Sequence, residues 1–322
     1  RQRGGVTTSG MAGSLGYYVN LNGQDSKGWR EHSANKKQSA ALKLVYAVDE
    51  ASMLDFRVDY LFSDVELMGS IDKADFDKNW RQDYNTFTYV LIRKTTPSLS
   101  YTRTVGTGGE LKLAVLARDI NHEVIPHYMF RYNSVTRRYT GIMNRIGGTD
   151  IDAQAQFKQD FTPLRSKIVA GVDAQKGSST VDTYNINITR DAVTKKYTSF
   201  AYAGISSSYD VGTDVTSPYA LFEVSPLENV RFSVGGRRDA VSYDVTDNLG
   251  LGRGGSKDFS KTTAKAGVTV DLSKQVNLYG GYSQGFVAPT SSQLFSGRGA
   301  NLSLEAEKAD NYEVGVRTAF LN

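Results

Sequence analysis

Apolar and polar side chains alternate one by one along much of this chain. Between Val230 and Asp239, Val230, Phe232 and Val234 share one parity, and Arg231, Ser233, Gly235, Arg237 and Asp239 the other. Between Lys261 and Asp271, Thr262, Ala264, Ala266, Val268 and Val270 alternate with Lys261, Thr263, Lys265, Gly267, Thr269 and Asp271. Tyr312, Val314 and Val316 are set against Asn311, Glu313, Gly315 and Arg317. A helix would gather its apolar residues at spacings of three and four, so a period of two predicts β-strands. One face of each strand is apolar and the other carries full charges.

The same pattern fits an antiparallel sandwich with one wet face. The connections separate the two. Short turns are expected near 49–51, 106–109, 162–164, 226–228 and 272–274, and long ones near 22–35, 65–96, 122–149, 177–217, 241–258 and 287–308. Tight and long connections in alternation make a sheet with two chemically different ends. Outer-membrane barrels have short turns on one side and long loops on the other, whereas compact soluble domains seldom hold several such loops. The pattern predicts about twelve strands between Met11 and Phe320. Residues 1–10 read as a lead-in or as the end of a preceding domain, and 11–322 as the barrel itself.

Composition agrees. Hydrophobic residues make up 39 % of the 322 and mean hydropathy is −0.39, so no run approaches a membrane-spanning helix. A barrel shows lipid only alternate residues and needs none. The 19 Tyr and 14 Phe suit aromatic girdles at two membrane interfaces. There is no Cys, which excludes disulfides and thiolate metal sites. A net charge of +4 without a basic tail argues against a nucleic-acid partner.

One stretch carries a specific resemblance. Tyr282-Ser283-Gln284-Gly285-Phe286-Val287-Ala288-Pro289 ends a strand, Asn301-Leu302-Ser303-Leu304-Glu305-Ala306-Glu307 lies in the loop, and Tyr312-Glu313-Val314-Gly315 returns. This resembles the TonB-dependent receptors of Gram-negative outer membranes, with Val287 where that family usually has Arg and Ala306 where it usually has Pro. Ser217 to Pro226 followed by Gly235-Gly236-Arg237-Arg238-Asp239 is similar to the family's mid-barrel hairpin, and Ser166 to Asp173 to the strand before its long fourth loop. The resemblance implies a transmembrane barrel of about 22 strands filled by a plug domain. On that reading the chain is an incomplete, N-terminal part of the barrel. It further implies energy coupling to the TonB–ExbB–ExbD complex through the plug, lipopolysaccharide and lipid around the wall, and a ferric siderophore as cargo. Haem-specific relatives place a His between the Phe-x-Ala-Pro and Asn-x-x-Leu motifs, and none lies between Phe286 and Leu304 here.

The residues that could carry chemistry sit in the long connections. Tyr128, Phe130, Arg131, Tyr132, Arg137, Arg138 and Tyr139, with Arg145, place aromatic faces among guanidinium groups. That mixture suits a flat, anionic, partly apolar ligand such as a ferric chelate. It equally suits an upper girdle whose Arg residues meet lipopolysaccharide phosphates or neighbouring Asp. His32, His122 and His127 read as exposed loop residues without zinc spacing. Asp72, Asp75 and Asp77 lack the alternation and closing Glu of a calcium loop and read as a solvated acidic loop. Residues 249–255 lack the Gly-Lys-Ser/Thr of a phosphate loop and read as a mobile tip. The expectation is therefore a transporter rather than an enzyme, with cobalamin, haem or another large nutrient as other cargoes. A smaller passive porin or an outer-membrane hydrolase is the alternative. The hydrolase would need a Ser–His or Asp–His pair, and spacing ties no Ser or Asp to His122 or His127.

Overall fold

Each alternating segment is a strand, and the long strands pair with one another in chain order. The computed structural model describes residues 1–296 and 299–319. The strands are β1 (Gln2–Ala12), β2 (Leu15–Ser26), β3 (Asn35–Ala47), β4 (Ser52–Glu66), β5 (Tyr89–Val105), β6 (Gly109–Val124), β7 (Arg131–Asn133) and β8 (Arg138–Phe161). They continue with β9 (Ser166–Arg190), β10 (Tyr197–Leu227), β11 (Val230–Asp247), β12 (Gly255–Asp271), β13 (Val276–Val287) and β16 (Glu307–Thr318), with two-residue strands β14 (Phe295–Ser296) and β15 (Gly299–Ala300) between those last two. Thirteen run in one antiparallel meander from β1 to β16, with β7 attached to β8 and β14 pairing β15 separately. The sheet is open, β1 and β16 being its end members. No helix of the described residues is long and apolar enough to cross a membrane; α1 (Lys73–Lys78) and α2 (Ser291–Leu294) are short loop elements.

Cross-strand register lays the apolar parity into continuous rows. Phe222, Val234, Ala266, Tyr282 and Tyr312 are successive partners across five strands, as are Val224, Phe232, Val268, Gly280 and Val314. Phe232 and Val234 remain 46 % and 56 % exposed, the state required of side chains that face lipid. The other parity is polar: Arg237 pairs with Asp173 at 2.6 Å and Asp239 at 2.7 Å, and Lys167 with Glu223 at 2.8 Å. β11 keeps one register with β12 from Val230 to Val245, so Val234 and Arg237 lie on opposite faces, as their parity predicts.

The short connections 13–14, 48–51, 106–108, 162–165, 228–229 and 272–275 share one end, and 27–34, 67–88, 125–137, 191–196, 248–254 and 288–306 the other. The turn at 106–108, where Gly106 and Gly108 adopt positive φ, therefore lies opposite the connection before Arg138. Arg298, expected at Arg138's end, falls outside the described residues.

Two expectations are corrected. Residues 1–10 are not a lead-in: β1 pairs β2 residue for residue from Gln2 to Ala12. Its sequence is glycine- and threonine-rich, so the pairing, not the apolar period, defines it. With β1 added, the meander has thirteen strands among the described residues, twelve of them after β1 as expected. The connections expected at 177–217 and 122–149 are largely strand, because β8, β9 and β10 run for 24, 25 and 31 residues. A tilted strand crosses the bilayer in about 9–11 residues, so their far halves rise into water. There hydrocarbon no longer imposes the period of two on the sequence.

Candidate functional site

At the long-loop end, the connections 27–34, 67–88, 125–137 and 191–196 fold into one cap. Buried Asp83 is its hub: it pairs with Arg30 at 3.1 Å and accepts from the backbone N–H groups of Asn85 (2.7 Å) and Gly69 (3.0 Å). Burial pushes its carboxyl above the ordinary range, against the pull of those hydrogen bonds and of Arg30. Lys195 reaches across to Asp72 at 2.8 Å and Asp75 at 2.7 Å, which hold its ammonium well above the usual lysine range, and Lys196 meets Glu31 at 2.9 Å. Tyr197 N–H donates to Tyr84 O at 2.7 Å, and Thr86 Oγ1 to Tyr197 O at 2.6 Å.

Beneath these polar ties lies a small core of Ile125, Met143, Ile186 and Ile188, with Phe87, Phe130, Tyr139, Tyr197 and Phe200 packed on it. β8 holds one register with β9 from Tyr139 to Phe161. Met143 and Tyr139 thus share the parity of Ile151 and Phe157, exposed apolar residues of the lipid-facing side. The cap is built on the outer side of the wall.

That geometry divides the expected site residues. Phe130 and Tyr139 are committed to packing: Phe130 contacts Phe87, His127 and Tyr197 at centroid distances of 5.8, 5.5 and 5.1 Å. The Tyr139 hydroxyl accepts from Arg190 at 2.8 Å. Arg131 donates to its neighbours' carbonyls, Tyr128 O at 2.7 Å and Phe130 O at 2.9 Å, and so shapes its own turn. Arg145 is engaged by Glu123 and Tyr202. Tyr128 (75 % exposed) and Tyr132, which leans on Tyr139 at 4.9 Å, face solvent. Arg137, with φ 54°, forms the tip of the β7–β8 hairpin, and Arg138 opens β8 with parity opposite to Tyr139. Tyr128, Tyr132, Arg137 and Arg138 are therefore the members of the set still available to a ligand.

Other loop residues depart from expectation. His32 is not exposed: its side chain is 7 % accessible, and Nε2 contacts Thr88 O at 2.7 Å. His127 is half-buried, and burial lowers its pKa. Both moved indoors because the connections fold on one another. The acidic residues Asp72 and Asp75 are neutralised by Lys195 and Asp77 by Lys73; among the described residues no group of His, Asp or Glu is set to hold a metal ion. The 249–255 tip is organised rather than loose. The Asp247 carboxylate collects the N–H groups of Leu249 (3.1 Å), Leu251 (2.9 Å) and Arg253 (3.1 Å). Trp29 and Trp80, the chain's two tryptophans, stack at 5.7 Å while each stays about half exposed, with Arg81 over the Trp80 ring at 5.8 Å. Sequence reasoning missed this pair; the signal available was that both tryptophans fall in long connections.

Below the mouth, the inner wall is a polar lattice. Gln154 donates to Asp173 at 3.0 Å, Ser217 to Asp239 at 2.7 Å and Tyr219 to Gln156 at 3.0 Å, all around Arg237. Arg237, Tyr219, Lys265 and Gln284 line a recess of about 350 Å³ in this face. A wall of this kind can hold polar matter inside the barrel, and its outer face cannot.

Known proteins match this arrangement. A family model described as TonB dependent receptor-like, beta-barrel, matches residues 4–322. The unliganded ferric citrate transporter FecA is similar in structure, with a TM-score of 0.77 at 18 % identity over 98 % of this chain and 46 % of its own. The siderophore receptor PiuA from Acinetobacter baumannii gives 0.77 at 13 % identity over 99 % and 53 %. The alcaligin receptor FauA from Bordetella pertussis gives 0.65 at 15 % identity over 99 % and 46 %. The chain spans about half the length of these proteins. With its lipid-facing rows, polar inner wall and asymmetric ends, the chain belongs to the TonB-dependent receptor family, as part of that family's β-barrel.

Proposed function

We propose that the full-length protein is an outer-membrane transporter of a Gram-negative bacterium that takes up a ferric siderophore with energy delivered through TonB. The observation that carries this reading is the exposed group Tyr128, Tyr132, Arg137 and Arg138 at the long-loop end of a wall whose inner face is polar. Guanidinium groups stay charged at all working pH values and offer planar donors to carboxylate, hydroxamate or catecholate oxygens. Tyrosine adds rigid apolar area with a hydrogen-bonding tip. The cargo's iron arrives already chelated, so the protein needs to recognise the chelate's surface and supplies no resident cofactor. Structurally similar proteins described as a ferric citrate transporter and siderophore receptors support the class of cargo. ExbB and ExbD as further partners of TonB, and lipopolysaccharide around the cap, belong to the same proposal.

The test is a titration of purified full-length protein with ferric hydroxamate, catecholate and citrate chelates, cobalamin and haem. Saturable binding of one ferric chelate is expected. Replacing Arg137 and Arg138 by Ala, and separately Tyr128 and Tyr132, should weaken it about tenfold or more per pair, since a charge-assisted hydrogen bond is worth about 1.5–3 kcal/mol. Binding of cobalamin or haem alone would replace the siderophore assignment, and indifference to all four substitutions would move the site elsewhere.

A further inference from the structure

We propose that the stacked Trp29 and Trp80, with Arg81 and Lys27, form a docking surface for phosphate-bearing glycolipid headgroups of the outer leaflet. The two connections that carry the rings are tied to each other at the same place. Glu31 N–H donates to Arg81 O at 2.8 Å, Arg30 Nε to Gln82 O at 2.7 Å, and the Arg30 guanidinium meets buried Asp83 at 3.1 Å. A braced frame therefore presents the stack. Its rings lie 18° from parallel at 5.7 Å, and each is still about half exposed. Indole area held in water this way marks a contact surface.

The surface lies outside the wall, next to lipid. Ala34 N–H donates to Glu66 Oε2 at 2.7 Å, and His32 Nδ1 lies 3.7 Å from Glu66 Oε1. Glu66 has the parity of Phe56, Tyr60 and Phe62, the outward apolar side chains of β4. That apolar run stops at Phe62, and Asp64 and Glu66 follow on the same face. From Phe62 to Glu66 is about 13 Å along the strand, and less in height for a tilted one. The connections thus leave the wall at the headgroup layer that begins where hydrocarbon ends. Charge fits the same partner. Arg81 lies over the Trp80 ring at 5.8 Å, and neither it nor Lys27 meets an acidic group among the described residues, whereas Arg30, Lys195 and Lys196 all do. A phosphorylated sugar offers a C–H face to indole and oxygens to guanidinium and ammonium. A ferric chelate bound for the polar inner wall would not meet rings on this side. The inference rests on the outer-membrane reading above and gives its lipopolysaccharide contact a place.

Full-length protein is reconstituted into phosphatidylcholine vesicles with and without lipid A. The emission of the pair is the difference between the wild type and the Trp29→Phe, Trp80→Phe double variant, whose exposed positions tolerate the change. Lipid A should shift that emission to shorter wavelength. Bromine near the glycerol end of the phosphatidylcholine chains should quench it more than bromine at the chain ends. Arg81→Gln with Lys27→Gln should abolish the lipid A shift while far-ultraviolet circular dichroism still shows the folded sheet. Emission identical in both vesicles, or a shift reproduced by inorganic phosphate alone, would overturn the docking surface. So would quenching by a ferric chelate with indifference to lipid A. If the protein bound no ferric chelate at all, the uptake reading would fail while the lipid A shift still decided the docking.

Discussion

Val234 and Arg237 stand three residues apart on β11 and meet different solvents. The choice is made by parity alone, because a strand turns successive side chains to opposite faces. Lysine at Phe232 or Val268 should destabilise the folded barrel by up to about 2–4 kcal/mol if the site lies near the bilayer midplane. Lysine at Ser233, on the inner face, should cost far less; urea titration of the barrel refolded into lipid vesicles measures both. Gly69 makes a second residue-level test. A Cβ there would collide with the Asn85 amide and come within 3.0 Å of the His127 ring, both enclosed in the cap. Gly69→Ala should therefore speed amide exchange in 67–88 and 125–130 without changing exchange in β11–β13, as mass spectrometry would show.

The elements differ in how openly the sequence announces them. β11, β12 and β16 were legible because hydrocarbon on one face and water on the other impose a clean period of two. β1 was not, since its glycines and threonines suit either face, and neither were the upper halves of β8, β9 and β10, which rise beyond the hydrocarbon and pack in part against the folded connections. The cap was legible only as loop. Its aromatic and charged residues were visible, but their partners lie more than a hundred positions away, as with Lys195 and Asp72. Hence Phe130 and Tyr139 read as ligand residues, whereas both pack, half-buried, on the cap's core. The cap's pH response follows from its groups. His127 is held neutral by burial, so its contribution is complete above its ordinary value of 6.5 and is lost as pH falls below that. Asp72 and Asp75, lowered chiefly by Lys195, lose theirs only below the ordinary 3.8. Asp83, raised by burial, acts oppositely and regains stability on acidification. Exchange in 125–130, corrected for intrinsic rates, should rise between pH 6.5 and 5, and His127→Gln should remove the rise.

At the scale of the whole molecule, one wall has been given two surfaces and two ends, and each has its own task. The outer rows are apolar, the inner face is a polar lattice, the short turns share one rim, and four of the long connections build a cap at the other. On the proposed function, the full-length protein differs from a passive pore in needing energy and in saturating. The direct measurement is uptake of radiolabelled iron, as a single ferric siderophore, by intact cells producing the full-length protein. Uptake should saturate with chelate concentration and stop when TonB is deleted or the proton gradient of the inner membrane is collapsed. Uptake that rises linearly with concentration and persists without TonB or the gradient would contradict the account.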